Sequence, residues 1–144
     1  MQLLKIADVP PTTVAPETTV TDAVQTMVRK HVGAVAVVEK ERLAGIFTER
    51  DVMIKVVAQK RDPETTPVSE VMTKRVESVT AETSAAEALR LMLHRHFRHL
   101  PIADHEGKIL GMLSIRNLLR QQNEYLAREL KGLEAYLTAD GAGG

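Results

Sequence analysis

The sequence predicts an α/β (α+β) fold built from two copies of one unit, each a small sheet with helices on one side, related by a pseudo-twofold axis. Three observations carry this expectation. First, the chain repeats itself. PETTVTDAVQTMVRKHVGAVAVVE from Pro16 falls on AETSAAEALRLMLHRHFRHLPIAD from Ala81, with Ala23 on Ala88, Met27 on Met92 and His31 on His96. GIFTERD from Gly45 then falls on GMLSIRN from Gly111, one extra residue having entered the second turn. Repetition of this length means two copies of one supersecondary unit. Second, the apolar pattern inside each copy switches from helical spacing to short continuous runs and back. Third, 144 residues at 44% hydrophobic content can form one domain or two small packed ones. Aromatic residues are only 3%, so the core must rest on Val, Leu, Ile, Ala and Met.

Each element follows in order. A short extended lead-in opens each unit, Thr13-Val14 in the first and Ser78-Val79 in the second. Thr18 and Thr19, then Thr83 and Ser84, offer N-caps for a helix. Val20, Val24, Met27 and Val28 recur at helical spacing, as do Leu89, Met92 and Leu93. AVAVV, from Ala34 to Val38, is too short for a buried helix and suits a buried strand. A polar turn, Glu39 to Arg42 or Asp104 to Lys108, leads to a second strand, LAGIF or ILGML. The hydroxyl residue that follows starts another helix, roughly 48–60 in the first copy and from 115 in the second. KRDPETTPVSEVMTK, with two prolines, reads as the linker, which divides the chain into units 1–66 and 67–122. Residues 123–144 make a C-terminal helix and a tail, TADGAGG, expected to be disordered. Each half-sheet leaves one apolar face bare, and packing the two faces together closes a core that neither unit can close alone.

Composition excludes several classes of function. Nineteen basic and nineteen acidic residues cancel, and with so few aromatics no nucleic-acid partner is expected. The absence of cysteine removes disulfides, thiol nucleophiles and thiolate metal sites. No apolar run approaches the roughly 18 residues of a membrane span, and MQLLKIAD is too short and polar for a signal peptide. A soluble, cytoplasmic protein without membrane attachment is the expectation. LHRHFRHLP gathers His94, His96 and His99 with Arg95 and Arg98, but its spacing lacks the i, i+4 histidine pair of helical metal sites. No metal is expected. Catalytic residues are not expected either, since no nucleophile–base pair or paired carboxylates accompany the repeated motif.

TERD (Thr48 to Asp51) supports two readings. Thr-x-x-Asp before an apolar run is close to a capping box, in which Thr48 caps the helix and Asp51 reaches back to the cap's amide. The same geometry suits a ligand. A helix N-terminus attracts phosphate, and a carboxylate one turn in can accept bonds from two ribose hydroxyls, each worth about 1.5–3 kcal/mol. The backbone of Gly45-Ile46-Phe47 stands ready to flank an adenine.

The doubled unit, with Thr-hydrophobic-x-x-Ala early, RHLPIAD in the middle and G-h-h-[ST]-x-x-[DN] late, resembles a pair of cystathionine-β-synthase (CBS) domains, a Bateman module, over residues from about 6 to 122. The resemblance implies a non-enzymatic regulatory module that binds an adenosine-containing ligand (AMP, ADP or ATP) between the repeats, forms a homodimer and signals to a separate protein. It assigns phosphate and ribose to Thr48, Arg50 and Asp51. It assigns the adenine wall to Thr13, Val14, Gly33, Ala34 and Val35, and cross-cleft phosphate contacts to Arg98 and His99. A second site would use Ser78, Val79, Pro101, Ser114, Arg116 and Asn117. There the sequence departs from the family pattern, because Asn117 stands where Asp is usual. Asn has one acceptor oxygen and no charge, so this site is expected to be weaker. The alternative is a ligand-independent scaffold, in which TERD is only a cap. Leu119, Asn123, Leu126, Leu130, Leu133 and Leu137 follow the 4-3 spacing of a coiled-coil seam, interrupted by Gly132, and suggest self-association or a tail helix lying on its own domain.

Overall fold

The computed structural model describes residues 2–143, with side chains over 3–137. Helix α1 (Gln2–Ile6) and strand β1 (Thr13–Val14) precede helix α2 (Val20–Lys30). Strands β2 (Ala34–Glu39) and β3 (Arg42–Thr48) follow. The single-turn helix α3 (Glu49–Asp51) runs directly into a π-helical segment, Val52–Val57. A 3-10 turn, Val68–Glu70, lies in the linker. Helix α4 (Ala85–Arg95), strands β4 (His99–Ala103) and β5 (Ile109–Ser114) and helix α5 (Ile115–Gly143) complete the second copy.

Local chemistry sets the helix ends. Thr19 Oγ1 accepts the Asp22 N–H at 3.2 Å, and Ser84 Oγ accepts the Glu87 N–H at 3.1 Å. Both α2 and α4 stop on a histidine in the left-handed region, His31 with φ 56° and His96 with φ 60°. That conformation ends a helix by turning the chain away, and His tolerates it better than most residues.

The two sheets, β1-β2-β3 and β4-β5, have equivalent antiparallel hairpins. In the second sheet Val79 makes only a parallel bridge to Ile102 where β1 lies in the first. Period-two alternation sends Val35, Val37 and Phe47 against Val20, Ala23 and Met27 of α2. In the second copy Leu100, Ile102 and Leu113 meet Ala88 and Met92 of α4. The opposite faces pack on each other, Ala34, Ala36 and Ile46 against Ile109 and Met112. Alanines at the centre let the two sheets approach closely.

The segments ahead of the units are exchanged. Leu3 of α1 is fully buried in the core of the second unit, and Asp8 and Met112 trade both backbone hydrogen bonds, at 2.9 and 3.1 Å. Conversely, Val68 and Val71 of the linker belong to the core of the first unit, and Thr73 and Ile46 trade bonds at 2.9 and 3.0 Å. Each unit is therefore closed by the segment that precedes its twin. The repeated glycines admit these segments. A Cβ on Gly45 would lie 2.7 Å from both Met72 Sδ and the Thr73 carbonyl oxygen, and one on Gly111 3.2 Å from the Asp8 carbonyl oxygen.

Helix α5 continues to Gly143, through the stretch whose composition suggests disorder; Met1 and Gly144 lie outside the described residues. Glycine weakens a helix by about 1 kcal/mol per residue but does not forbid one. No helix among the described residues is long and apolar enough to cross a membrane.

Candidate functional site

A cleft of about 740 Å³ opens where α3, the linker and the α4–β4 corner converge. Thr48, Arg50 and Asp51 come from the first unit, Arg98 and His99 from the second, and Thr73, Arg75, Val76 and Glu77 from the end of the linker and the residues just after it. Asp51 is buried, 6% exposed, at the base of this arrangement. Its Oδ2 accepts the Thr48 N–H at 3.0 Å and the Thr48 hydroxyl at 3.2 Å, while the Asp51 N–H returns a bond to Thr48 Oγ1 at 3.2 Å. This is a complete capping box. Oδ1 has different company: it accepts the Thr73 hydroxyl at 3.2 Å and pairs with Lys55 Nζ at 3.0 Å. One oxygen thus holds the helix start, and the other faces two side-chain donors, which are themselves in contact at 3.4 Å.

Cations gather above it. Arg50, Arg75, Arg95 and Arg98 all line the cleft, and Arg95 is joined to Glu77 at 3.0 Å across its wall. Burial holds His99 below the ordinary histidine value of 6.5, with Glu49 and then Asp8 opposing the shift and Arg98 adding to it. No group of three or more His, Asp or Glu that could hold a metal ion occurs among the described residues.

A second cleft, of about 580 Å³, is the pseudo-symmetric counterpart. Ser114, Arg116 and Asn117 stand for Thr48, Arg50 and Asp51, Asp8 for Thr73, and Lys30, His31, Gly33 and Ala34 for Arg95, His96, Arg98 and His99. Glu49, Arg98 and His99 line both clefts. In the second motif the Asn117 N–H meets Ser114 Oγ at 3.0 Å and the Ser114 hydroxyl meets Asn117 Oδ1 at 2.7 Å. Asn117 Nδ2 then donates to the Ile6 carbonyl at 2.6 Å, a bond that no ionised aspartate can make.

The structure groups the sequence-derived residues differently from the expectation. Thr48, Arg50, Asp51, Arg98 and His99 share the first cleft, but Gly33 and Ala34 line the second, beside Ser114, Arg116 and Asn117. Thr13, Val14 and Val35 line neither. Val35 points into the α2 core with Val14 packed beside it, and Thr13 is exposed at the sheet edge. Ser78, Val79 and Pro101 are also outside both; Val79 is buried in the second core, its N–H bonded to the Pro101 carbonyl at 3.0 Å. The reason is the exchange of lead-ins, which brings residues 73–77 rather than β1 to Asp51. Nor is the backbone of Ile46 open to a base, since Thr73 takes both its polar groups. Sequence reasoning missed Lys55, whose i, i+4 spacing from Asp51 was the available signal, and missed Thr73, Arg75 and Glu77 by treating the linker and the residues after it as a spacer.

A doubled α/β unit with equivalent clefts at its two junctions defines a tandem-repeat domain pair. The CBS-domain family model matches residues 6–58 and 68–124. The chain belongs to the CBS-domain family. It is 40% identical over 124 residues to the mitochondrial CBS domain-containing protein CBSX3 of Arabidopsis thaliana, covering 83% of this chain but only 60% of that protein. Among solved structures, a putative signal-transduction protein with CBS domains from Burkholderia ambifaria MC40-6 is 38% identical, with TM-score 0.76 and coverage of 83% of this chain and 90% of that one. CBSX2 in complex with AMP is 26% identical, with TM-score 0.73 and coverage of 85% and 96%.

Proposed function

We propose that the chain is a non-catalytic regulatory module that binds an adenine nucleotide in the Asp51 cleft and signals occupancy to a separate protein. The carrying observation is the division of labour on the Asp51 carboxylate. Oδ2 is committed to the cap, whereas Oδ1 is held by the Thr73 hydroxyl and the Lys55 ammonium. Both donors sit on side chains that can turn aside, leaving Oδ1 to accept a ribose hydroxyl without unwinding the helix.

The surroundings fit the rest of a nucleotide. A volume of about 740 Å³ falls within the range of small-molecule sites. Arg50 at the helix start and Arg98 from the opposite unit offer phosphate two cations from two directions. Arg75 and Val76, whose backbone groups pair with nothing else among the described residues, offer hydrogen bonds to a base edge. The AMP bound by the neighbour CBSX2 supports the ligand class. Because the ligand bridges both units, it favours one relative packing of them, and that packing is the signal.

Thermal unfolding with AMP, ADP, ATP and no ligand tests this reading. A ligand at a hundred times its dissociation constant stabilises by about 2.7 kcal/mol, which raises the midpoint of a chain this size by roughly 8–12 °C. The shift is expected to disappear in Asp51→Ala and to persist in Asn117→Ala. No shift with any of the three nucleotides would reduce TERD to a helix cap.

A further inference from the structure

Beyond Gln121, helix α5 leaves the body of the molecule. Every residue from Gln122 to Leu137 is exposed, although Leu126, Leu130, Leu133 and Leu137 are large and apolar, with 55–61% of their surface open. A lone helix of this length is marginal in water, because helical stability comes mostly from packing an apolar face. The leucines occupy one stripe, continuing Leu119 at alternating spacings of four and three. Gly132 falls off that stripe and a Cβ there would meet nothing within 4 Å. The interruption expected at Gly132 therefore does not touch the seam, whose polar member is Asn123.

We propose that this stripe pairs, antiparallel, with the same helix of a second copy of the chain. Charge decides the direction. With Leu126 opposite Leu130 of the second copy, Leu119 meets Leu137 and Asn123 meets Leu133. Arg120 then flanks Glu134 of the other helix twice over, and Ala127 meets its own counterpart. Neither Arg120 nor Glu134 has an ion pair among the described residues. One unfavourable contact remains, Glu129 against Glu129. The parallel arrangement instead sets Glu129 beside Glu134 on both flanks and leaves Arg120 without a carboxylate. Antiparallel pairing also brings the slender far end of one helix, rather than a second globular body, against Leu119.

The inference does not depend on nucleotide binding. Its test is the mass of the full chain in solution by sedimentation equilibrium. Wild type is expected to be a dimer, and a monomer across the accessible concentration range would overturn the proposal. Leu126→Glu with Leu130→Glu, both exposed in the single chain, is expected to weaken the dimer by on the order of a hundredfold or more, with unchanged circular dichroism from the body of the protein. An undiminished dimer would show that another face makes it. Glu134→Arg is expected to weaken association and added Arg120→Glu to restore it, since only antiparallel pairing puts those residues together. Failure of the double variant to recover would overturn the direction.

Discussion

Asn117 shows how one atom changes the work of a repeated motif. Asp51 and Asn117 occupy equivalent places and make equivalent bonds to the hydroxyl residue three positions back. They differ in the second group on the side chain. Oδ1 of Asp51 accepts from Thr73 and Lys55, whereas Nδ2 of Asn117 donates to the carbonyl of Ile6. Asn117→Asp therefore does not recreate the first site. It sets a carboxylate oxygen against a carbonyl oxygen and releases α1, at a cost of about 1–3 kcal/mol. Urea denaturation is expected to show that loss, and hydrogen exchange at the amides of residues 3–8 is expected to accelerate. Unchanged exchange there would mean that α1 is held by Leu3 and the Asp8 bridge alone. The sequence displayed Asn as a poorer acceptor, but its use as a donor was invisible, because the carbonyl it meets lies 111 positions away.

The lead-in segments and the strands they join explain the glycine that opens both GIFTERD and GMLSIRN. A methyl group at Gly45 would sit 2.7 Å from the carbonyl oxygen of Thr73, so the linker backbone would have to move. Gly45→Ala is expected to cost about 1–3 kcal/mol by overpacking. It should also lower nucleotide affinity, because Thr73, Arg75, Val76 and Glu77 wall the Asp51 cleft. Gly111→Ala, with its nearest neighbours at 3.0 and 3.2 Å, should cost less and spare that cleft. Denaturation midpoints and nucleotide titrations of the two variants check the contrast. Helices α2 and α4 and the two hairpins were readable in the sequence, because periodicity is written locally in each. Which lead-in joins which sheet was not. VSEVMT and LLKIAD share apolar residues at their first, fourth and fifth positions, so this pattern does not say which unit each closes. The misgrouping of Gly33 and Ala34 with Asp51 follows from that one ambiguity. The π-helical turn after Asp51 also went unseen, since its sequence reads as ordinary helix.

His99 belongs to the molecule more than to either half, for it lines both clefts and a Cβ on Gly33 would lie 3.2 Å from its ring. Its value is lowered mainly by burial, against Glu49 and Asp8 and with Arg98. The folded protein thus binds fewer protons here than the unfolded chain. Its contribution to stability is complete above about 6.5 and is lost as pH falls through that value toward the lower folded one. Phosphate beside His99 would favour the charged ring, so nucleotide binding is expected to take up protons. Calorimetry near pH 6.5 should then give enthalpies that vary with the buffer's own ionisation heat, and His99→Gln should remove the variation. Buffer-independent heats for wild type would place the phosphate away from this ring. The exchanged lead-ins also set an order of events during synthesis. Residues 3–8 leave the ribosome well before the strand they pair with, Ile109–Ser114, has been made. The first unit must likewise wait for Val68 and Val71 before its core can close. Leu3 and Ile6 therefore stay exposed until the second unit has been made, and the halves reach their finished state together rather than in turn.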